Sequence, residues 1–478
     1  MKRSVLAILL AVILMPSLYT FAAGAAAEVS VWDGTPGTSF GQGSGTEADP
    51  YVITKASELD YLATACMSGE TFADKYIKLG VNVDWGGREW TSIGYTTSAV
   101  FSGNFDGNGK TIFNITCTDV TVGIFGYATN ATIKNLNVDY ATFTTNTRYA
   151  GAIVGLMRGC VVSNCSAGEN TKIATNDSMS NTAQIGGLFG LVNSSYVDNC
   201  TFYGEVVATS IIGTSFVGGI AGVIGNVSEV SYCINYGRVT VTNPSTEAGS
   251  YAHAGGITGG IGSSSAVGSI ANCINKGNIT AIEYAGGVLG RVHVEGSTMT
   301  DCFSIGDVTA NQGFAGAVVG YVAKSGELSG SYGIISAAAD SPFAAVNEGI
   351  TIPSDALRVA TVAEIEALET YKKIEKSVAE NLPVFDLLVP TLPSETTAPP
   401  VETTAPPSGT TAPPAGTTEP PAETTAPQAG TTSPVDTTGA DGTTEPAKSG
   451  GCKSVLGGSV LVVAAIISLA VVGKKKEN

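Results

Sequence analysis

Nine cysteines occur in the chain, and five of them recur at one place in a repeated phrase. The phrase reads Val197-Asp-Asn-Cys200, Val230-Ser-Tyr-Cys233, Ile270-Ala-Asn-Cys273 and Met299-Thr-Asp-Cys302. Four residues after each cysteine comes a glycine: Gly204, Gly237, Gly277 or Gly306. Earlier copies are looser, since Cys165 reaches Gly168 after three residues and Leu136 takes the cysteine place in Ile133-Lys-Asn-Leu136. Thiols at regular spacing could form disulfides or bind metal. Cysteines in a secreted chain ordinarily suggest bridges. Stacked side chains on parallel strands, however, point the same way, which is poor geometry for bridging neighbours. We therefore expect Cys165, Cys200, Cys233, Cys273 and Cys302 to form a buried, reduced column in which cysteine acts as a small hydrophobe. There is no Cys-x-x-Cys, and a linear column cannot supply a tetrahedral site, so no metal is expected.

Paired carboxylates would be the mark of a glycosidase, and acidic calcium ligands beside a lysine or arginine that of a polysaccharide lyase. Asp84, Asp106 and Asp139 are the candidates, but Asp106-Gly-Asn108 reads more simply as a turn. No repeat column holds clustered acids, so no catalytic residue and no cofactor site is assigned. A carbohydrate-active enzyme is the alternative to a non-enzymatic role. A candidate binding edge consists of Tyr203, Tyr236 and Lys276, which precede the turn glycines; aromatic rings there would suit sugars or protein surfaces. The competing reading is that these side chains cover neighbouring turns.

A second phrase must position these residues. It reads Val122-Gly-Ile-Phe-Gly126, Ala150-Gly-Ala-Ile-Val-Gly155, Ile185-Gly-Gly-Leu-Phe-Gly190, Val217-Gly-Gly-Ile-Ala-Gly222, Ala254-Gly-Gly-Ile-Thr-Gly259, Ala285-Gly-Gly-Val-Leu-Gly290 and Ala315-Gly-Ala-Val-Val-Gly320. Its closing glycines are 29, 35, 32, 37, 31 and 30 residues apart, a period that marks a stacked repeat. Short runs rich in Val, Ile, Thr and Phe alternate apolar with polar residues, and glycine or asparagine interrupts them, so each repeat holds two or three strands. The fold expected is all-β: a right-handed parallel β-helix over about 75–340, with coils about 4.8 Å apart. A β-propeller is the rival, but its blades need about 40 to 45 residues each. Helices through Glu58-Leu-Asp-Tyr-Leu62, capped by Thr54, and after the Thr361/Glu364 capping box should cover the two ends.

The glycine phrase resembles the GLUG motif, over roughly residues 120–335. The segment before it, with Trp32-Asp-Gly34, Gly43-Ser-Gly-Thr-Glu-Ala-Asp-Pro-Tyr51, Trp90-Thr-Ser-Ile-Gly94 and Phe101-Ser-Gly-Asn-Phe-Asp-Gly-Asn-Gly-Lys-Thr-Ile112, looks like the opening of bacterial surface β-helix proteins. The resemblance implies a secreted, wall- or membrane-attached protein of Gram-positive type, and no common activity. Some such proteins carry a His-Glu-x-x-His peptidase; His253 and His293 are the histidines here, and neither lies in that context.

The termini complete the expected plan. Lys2 and Arg3, an apolar run from Val5 to Leu14 and Ala25-Ala-Ala27 read as a signal peptide over 1–27. Residues 28–119 would form the N-terminal cap and first coils, 120–340 the repeats and 341–390 a C-terminal cap. Residues 391–450, with units such as Glu395-Thr-Thr-Ala-Pro-Pro400, cannot form a core and read as a disordered stalk. At most it would reach on the order of 180 Å. The uncharged run 454–473 suits one membrane helix, and Lys474, Lys475 and Lys476 would hold the tail 474–478 in the cytoplasm. Cys452, just outside that span, is a lipidation candidate. The net charge is −17, with 41 acidic against 24 basic residues, which disfavours nucleic acid as a partner. The expected product is a cell-surface, membrane-anchored adhesin or structural module, with an extracellular protein or glycan as partner.

Overall fold

The computed structural model describes residues 28–176, 182–209, 213–242, 251–262, 266–311, 313–336 and 338–383. The expected signal peptide, stalk, membrane span and tail, and Cys452, lie outside these residues.

Each repeat winds once around a β-solenoid. One coil runs through strands Gln184–Gly186, Phe189–Asn193, Tyr196–Asp198, Thr201–Phe202 and Glu205–Ala208; the next through Ser215–Gly218, Ala221–Gly225, Ser228–Ser231, Ile234–Asn235 and Arg238–Val241. Every strand of the first coil pairs in parallel with its counterpart in the second. Propeller blades are antiparallel, so this pairing excludes the rival. The seven strands that carry the closing glycines, together with Phe343–Val346, form a separate eight-stranded sheet that starts at Phe125–Thr129. The remaining strands join a long sheet that also takes in Val29–Val31 and Leu357–Ala360, so the coils extend beyond both expected limits.

The core lies inside the coils, and like residues stack because parallel pairing places the same phrase position above itself. Cys165, Cys200, Cys233, Cys273 and Cys302 are free and fully buried. Each thiol donates to the carbonyl two residues back, at 3.2 to 3.4 Å. Burial holds the pKa of the Cys165, Cys233 and Cys302 thiols well above the ordinary value. Replacing Cys233 with Ser is expected to cost about 1 to 2 kcal/mol. The Ser231 carbonyl can take the hydroxyl, but the apolar stack loses its sulfur. Urea unfolding would measure the cost, and mass spectrometry of non-reduced peptides should find no bridge in the column.

The residue before the cysteine place is asparagine in four of six coils, with Tyr232 and Asp301 in the other two. Asn135, Asn164, Asn199 and Asn272 sit at φ of 53 to 55°, a left-handed conformation that asparagine tolerates better than most residues. The first three also form a side-chain ladder: Asn199 donates to Asn164 at 2.8 Å, Asn164 to Asn135 at 3.2 Å and Asn135 to Asp106 at 2.9 Å.

Helix α1, Ala56–Met67, lays Leu59, Leu62, Ala63 and Cys66 onto the main core at the N-terminal side. Its N-cap is Lys55. The Thr54 hydroxyl and backbone N–H both donate to Glu58 instead, at 3.2 and 2.7 Å. At the other terminus the Thr361/Glu364 capping box starts α2, Val362–Ala367, and is followed by α3, Glu369–Asn381. The expected end cap is corrected here. Tyr371, Ile374 and Val378 of α3 cover Ile234, Ile274 and Phe303, which stand one above another on the solenoid flank. Those three outward residues follow directly on inward cysteines, so they form an apolar row that needs a cover.

Candidate binding groove

The expected edge is assembled only in part. Tyr203 and Tyr236 stack at 4.8 Å between ring centres and remain about two-fifths exposed. Lys276 is the next rung, and its ammonium lies 5.1 Å from the Tyr236 ring centre. It is not free for a ligand, because it forms an ion pair with Glu375 of α3. Burial works to lower the Lys276 pKa, but the Glu375 carboxylate outweighs it and holds the ammonium above the ordinary lysine value. Lys276 therefore fastens α3 to the flank.

The three candidate carboxylates do not converge. Asp84 accepts from the Gly86 N–H and the Asn114 side chain, both at 2.8 Å. Asp106 takes the Asn108 N–H at 2.8 Å, as expected for a turn, and heads the asparagine ladder. Asp139 accepts from the Tyr140 and Asn170 N–H groups at 2.8 and 3.1 Å. Burial raises the Asp139 pKa and those N–H groups oppose the rise. A cavity of about 410 Å³ lies beside Lys78, Asp106 and Lys134, where Lys134 pairs with Asp106 at 3.7 Å.

A different constellation lies where the two sheets meet. The closing glycines let them approach backbone to backbone: a Cβ on Gly222 would stand 2.4 Å from the Ile185 nitrogen, and one on Gly259 2.3 Å from the Val217 nitrogen. Side chains just before the phrase and just after its closing glycine then face each other across an outward groove. One wall stacks Tyr149, Gln184, Phe216, His253, Tyr284 and Phe314. The other carries Tyr127, Leu156, Leu191, Val223, Gly260, Arg291 and Tyr321.

The first half of the groove is filled by its own apolar side chains, Leu156, Leu191 and Val223 under Tyr127, Tyr149 and Phe216. The second half is polar and aromatic. His253 lies fully buried, with ring centres of Phe216, Tyr284 and Tyr321 at 5.6, 5.1 and 5.9 Å. Phe216 occupies the space over Gly260, where a Cβ would come within 2.7 Å of its ring. Arg291 Nη1 lies 3.2 Å from His253 Nε2. A guanidinium only donates, so Nε2 accepts and the neutral imidazole carries its proton on Nδ1. That nitrogen has no partner, and neither has Arg291 Nε or His293 Nδ1. Burial, then the charges of Arg291 and His293, hold the His253 pKa well below the ordinary value. His293 is lowered by burial, Arg291 and Lys324.

This has a pH consequence. The unfolded chain takes up a proton at His253 near pH 6.5, while the folded chain refuses it until lower pH. Stability is fully present above about pH 6.5 and falls on acidification toward the folded pKa, by at most about 1.4 kcal/mol per pH unit. Urea midpoints at pH 7.5 and 5.5 should show this loss in the native chain. His253→Phe should lose about 1 kcal/mol less over the same interval.

Sequence reading missed this groove, although its signal stands one residue outside the phrase on either side.

No family model matches the chain. A protein of Evansella cellulosilytica named "Putative Gly-rich membrane protein" is 33% identical over 129 residues, which cover 26% of this chain and 15% of that relative. The chain thus matches a small part of the relative's length. A crystal structure from Bacteroides ovatus named as "a putative immunoglobulin A1 protease" aligns over 68% of this chain and 88% of its own, at 20% identity and a TM-score of 0.44. Among the described residues no helix is long and apolar enough to cross a membrane, and no group of three or more His, Cys, Asp or Glu could hold a metal.

Proposed function

We propose that the chain is a surface-displayed binding module of the GLUG-repeat type. Its solenoid stands on the Thr/Pro-rich stalk, with 454–473 as membrane anchor and an extracellular glycan or protein as partner. The observation that carries this reading is the row Phe216, His253, Tyr284 and Phe314, one ring on each of four successive coils, which ends in Phe314, 55% exposed. A solvated ring at the end of a stack on a rigid scaffold favours recognition rather than packing. A membrane-protein name on a partial relative agrees with the anchor.

The alternative is a polysaccharide lyase or glycosidase. It has less support, because Asp84, Asp106 and Asp139 are committed to turns and ladders. Display is tested by deleting residues 454–478. The shortened chain should appear in the medium, whereas the full chain should stay with the cells and be shed by mild protease. Retention of the shortened chain in the membrane would contradict the proposed anchor.

A further inference from the structure

We propose that the polar half of the groove binds a carboxylate-bearing sugar, with Arg291 receiving the carboxylate. This rests on the reading of the solenoid as a binding module.

The first support is an unneutralised cation. Arg291 is more than half buried, yet no ion pair among the described residues includes it. A buried charge is costly unless it is paired. Its hydrogen bond goes to a neutral imidazole, its guanidinium lies over the Tyr321 ring at 5.3 Å from the centre, which supplies no counter-charge, and its Nε donates to nothing. His253, fully buried, presents a second unused donor at Nδ1. The chain as a whole carries −17, whereas here Arg291 and Lys324 both lie close enough to His293 to lower its pKa. Glu283, which adjoins Tyr284, is committed to the Ala252 N–H at 2.7 Å. An acidic ligand would supply the missing partner, and the planar guanidinium fork suits a carboxylate.

The second support concerns ligand class. A bound peptide strand would need free backbone groups along the groove. The walls at Ala252–Gly255, Tyr284–Gly286, Thr258–Ile261 and Leu289–Val292 pair with the coils on either side. What the groove offers instead is ring surface beside a cation. Tyr284 stacks on Phe314 at 5.9 Å, and Phe314 is the last ring of its wall. A pyranose can rest its apolar face on such a ring.

The test is calorimetric titration of the full chain with oligogalacturonate, a neutral galactose oligosaccharide and oligoglutamate. Oligogalacturonate should bind, and added salt should weaken it. Arg291→Gln should reduce affinity about tenfold or more, and Arg291→Lys less. Phe314→Ala, at an exposed site, should weaken binding several-fold and guards against a folding defect in the arginine variants. Equal binding of the neutral sugar, unchanged by Arg291→Gln, would overturn the carboxylate role and leave the binding-module reading standing. Oligoglutamate binding as well as the uronate would overturn the sugar assignment. Binding of none of the three would overturn the site, while array screening of the full chain judges the module reading separately.

Discussion

Gly222→Ala is expected to destabilise the solenoid by about 3 kcal/mol or more, a large effect for one methyl group. The added carbon would stand 2.4 Å from the Ile185 nitrogen, 2.5 Å from the Gln184 carbonyl carbon and 2.6 Å from the Gly190 oxygen. All three are backbone atoms of the preceding coil, and they are held by parallel pairing on both sides. No rotamer change can make room, so the two sheets must separate locally. Gly259 and Gly290 face comparable backbone and should behave alike. Urea unfolding measures the effect, and a Gly222→Ala midpoint equal to the native one would mean that the corner is looser than described.

Ile374→Asp should release α3 while leaving the coils folded. Ile374 is 1% exposed within the cluster formed by α3 and the flank row Ile234, Ile274 and Phe303. A carboxylate there would be buried without a partner, at about 3 kcal/mol or more. The main core does not share this cluster, so the loss should stay local. Amides of α3 should exchange about a hundredfold faster, and protease should cut within residues 361–383. Coil amides around Cys233 should keep their protection. Loss of protection in both regions together would make α3 part of the core rather than a cover.

The inward half of the fold was legible because inward columns keep one residue type. Valine, cysteine and glycine each repeat at fixed spacing, and parallel stacking of like on like is what imposes that constancy. Outward columns are free to vary, so the groove wall that runs Gln184, Phe216, His253, Tyr284, Phe314 shows no motif. Its members become a site only when the glycine corner brings Arg291 and Tyr321 opposite them. Lys276 was read as an open edge because its partner, Glu375, lies 99 residues away in sequence. The position of α3 was hidden for a related reason. Ile234, Ile274 and Phe303 do announce an apolar flank by breaking the alternation after cysteine, but nothing local says which later segment covers it. Asp106 was recognised as a turn residue; its place at the head of the asparagine ladder depends on register between coils.

The central claim is that recognition resides in the outward groove rather than along the flank. A glycan and protein array probed with the full chain and two variants tests it most directly. One variant carries Tyr284→Ala and Phe314→Ala in the groove; the other carries Tyr203→Ala and Tyr236→Ala on the flank. We expect the flank variant to keep the native binding pattern and the groove variant to lose it. Native binding by the groove variant together with loss by the flank variant would contradict the claim.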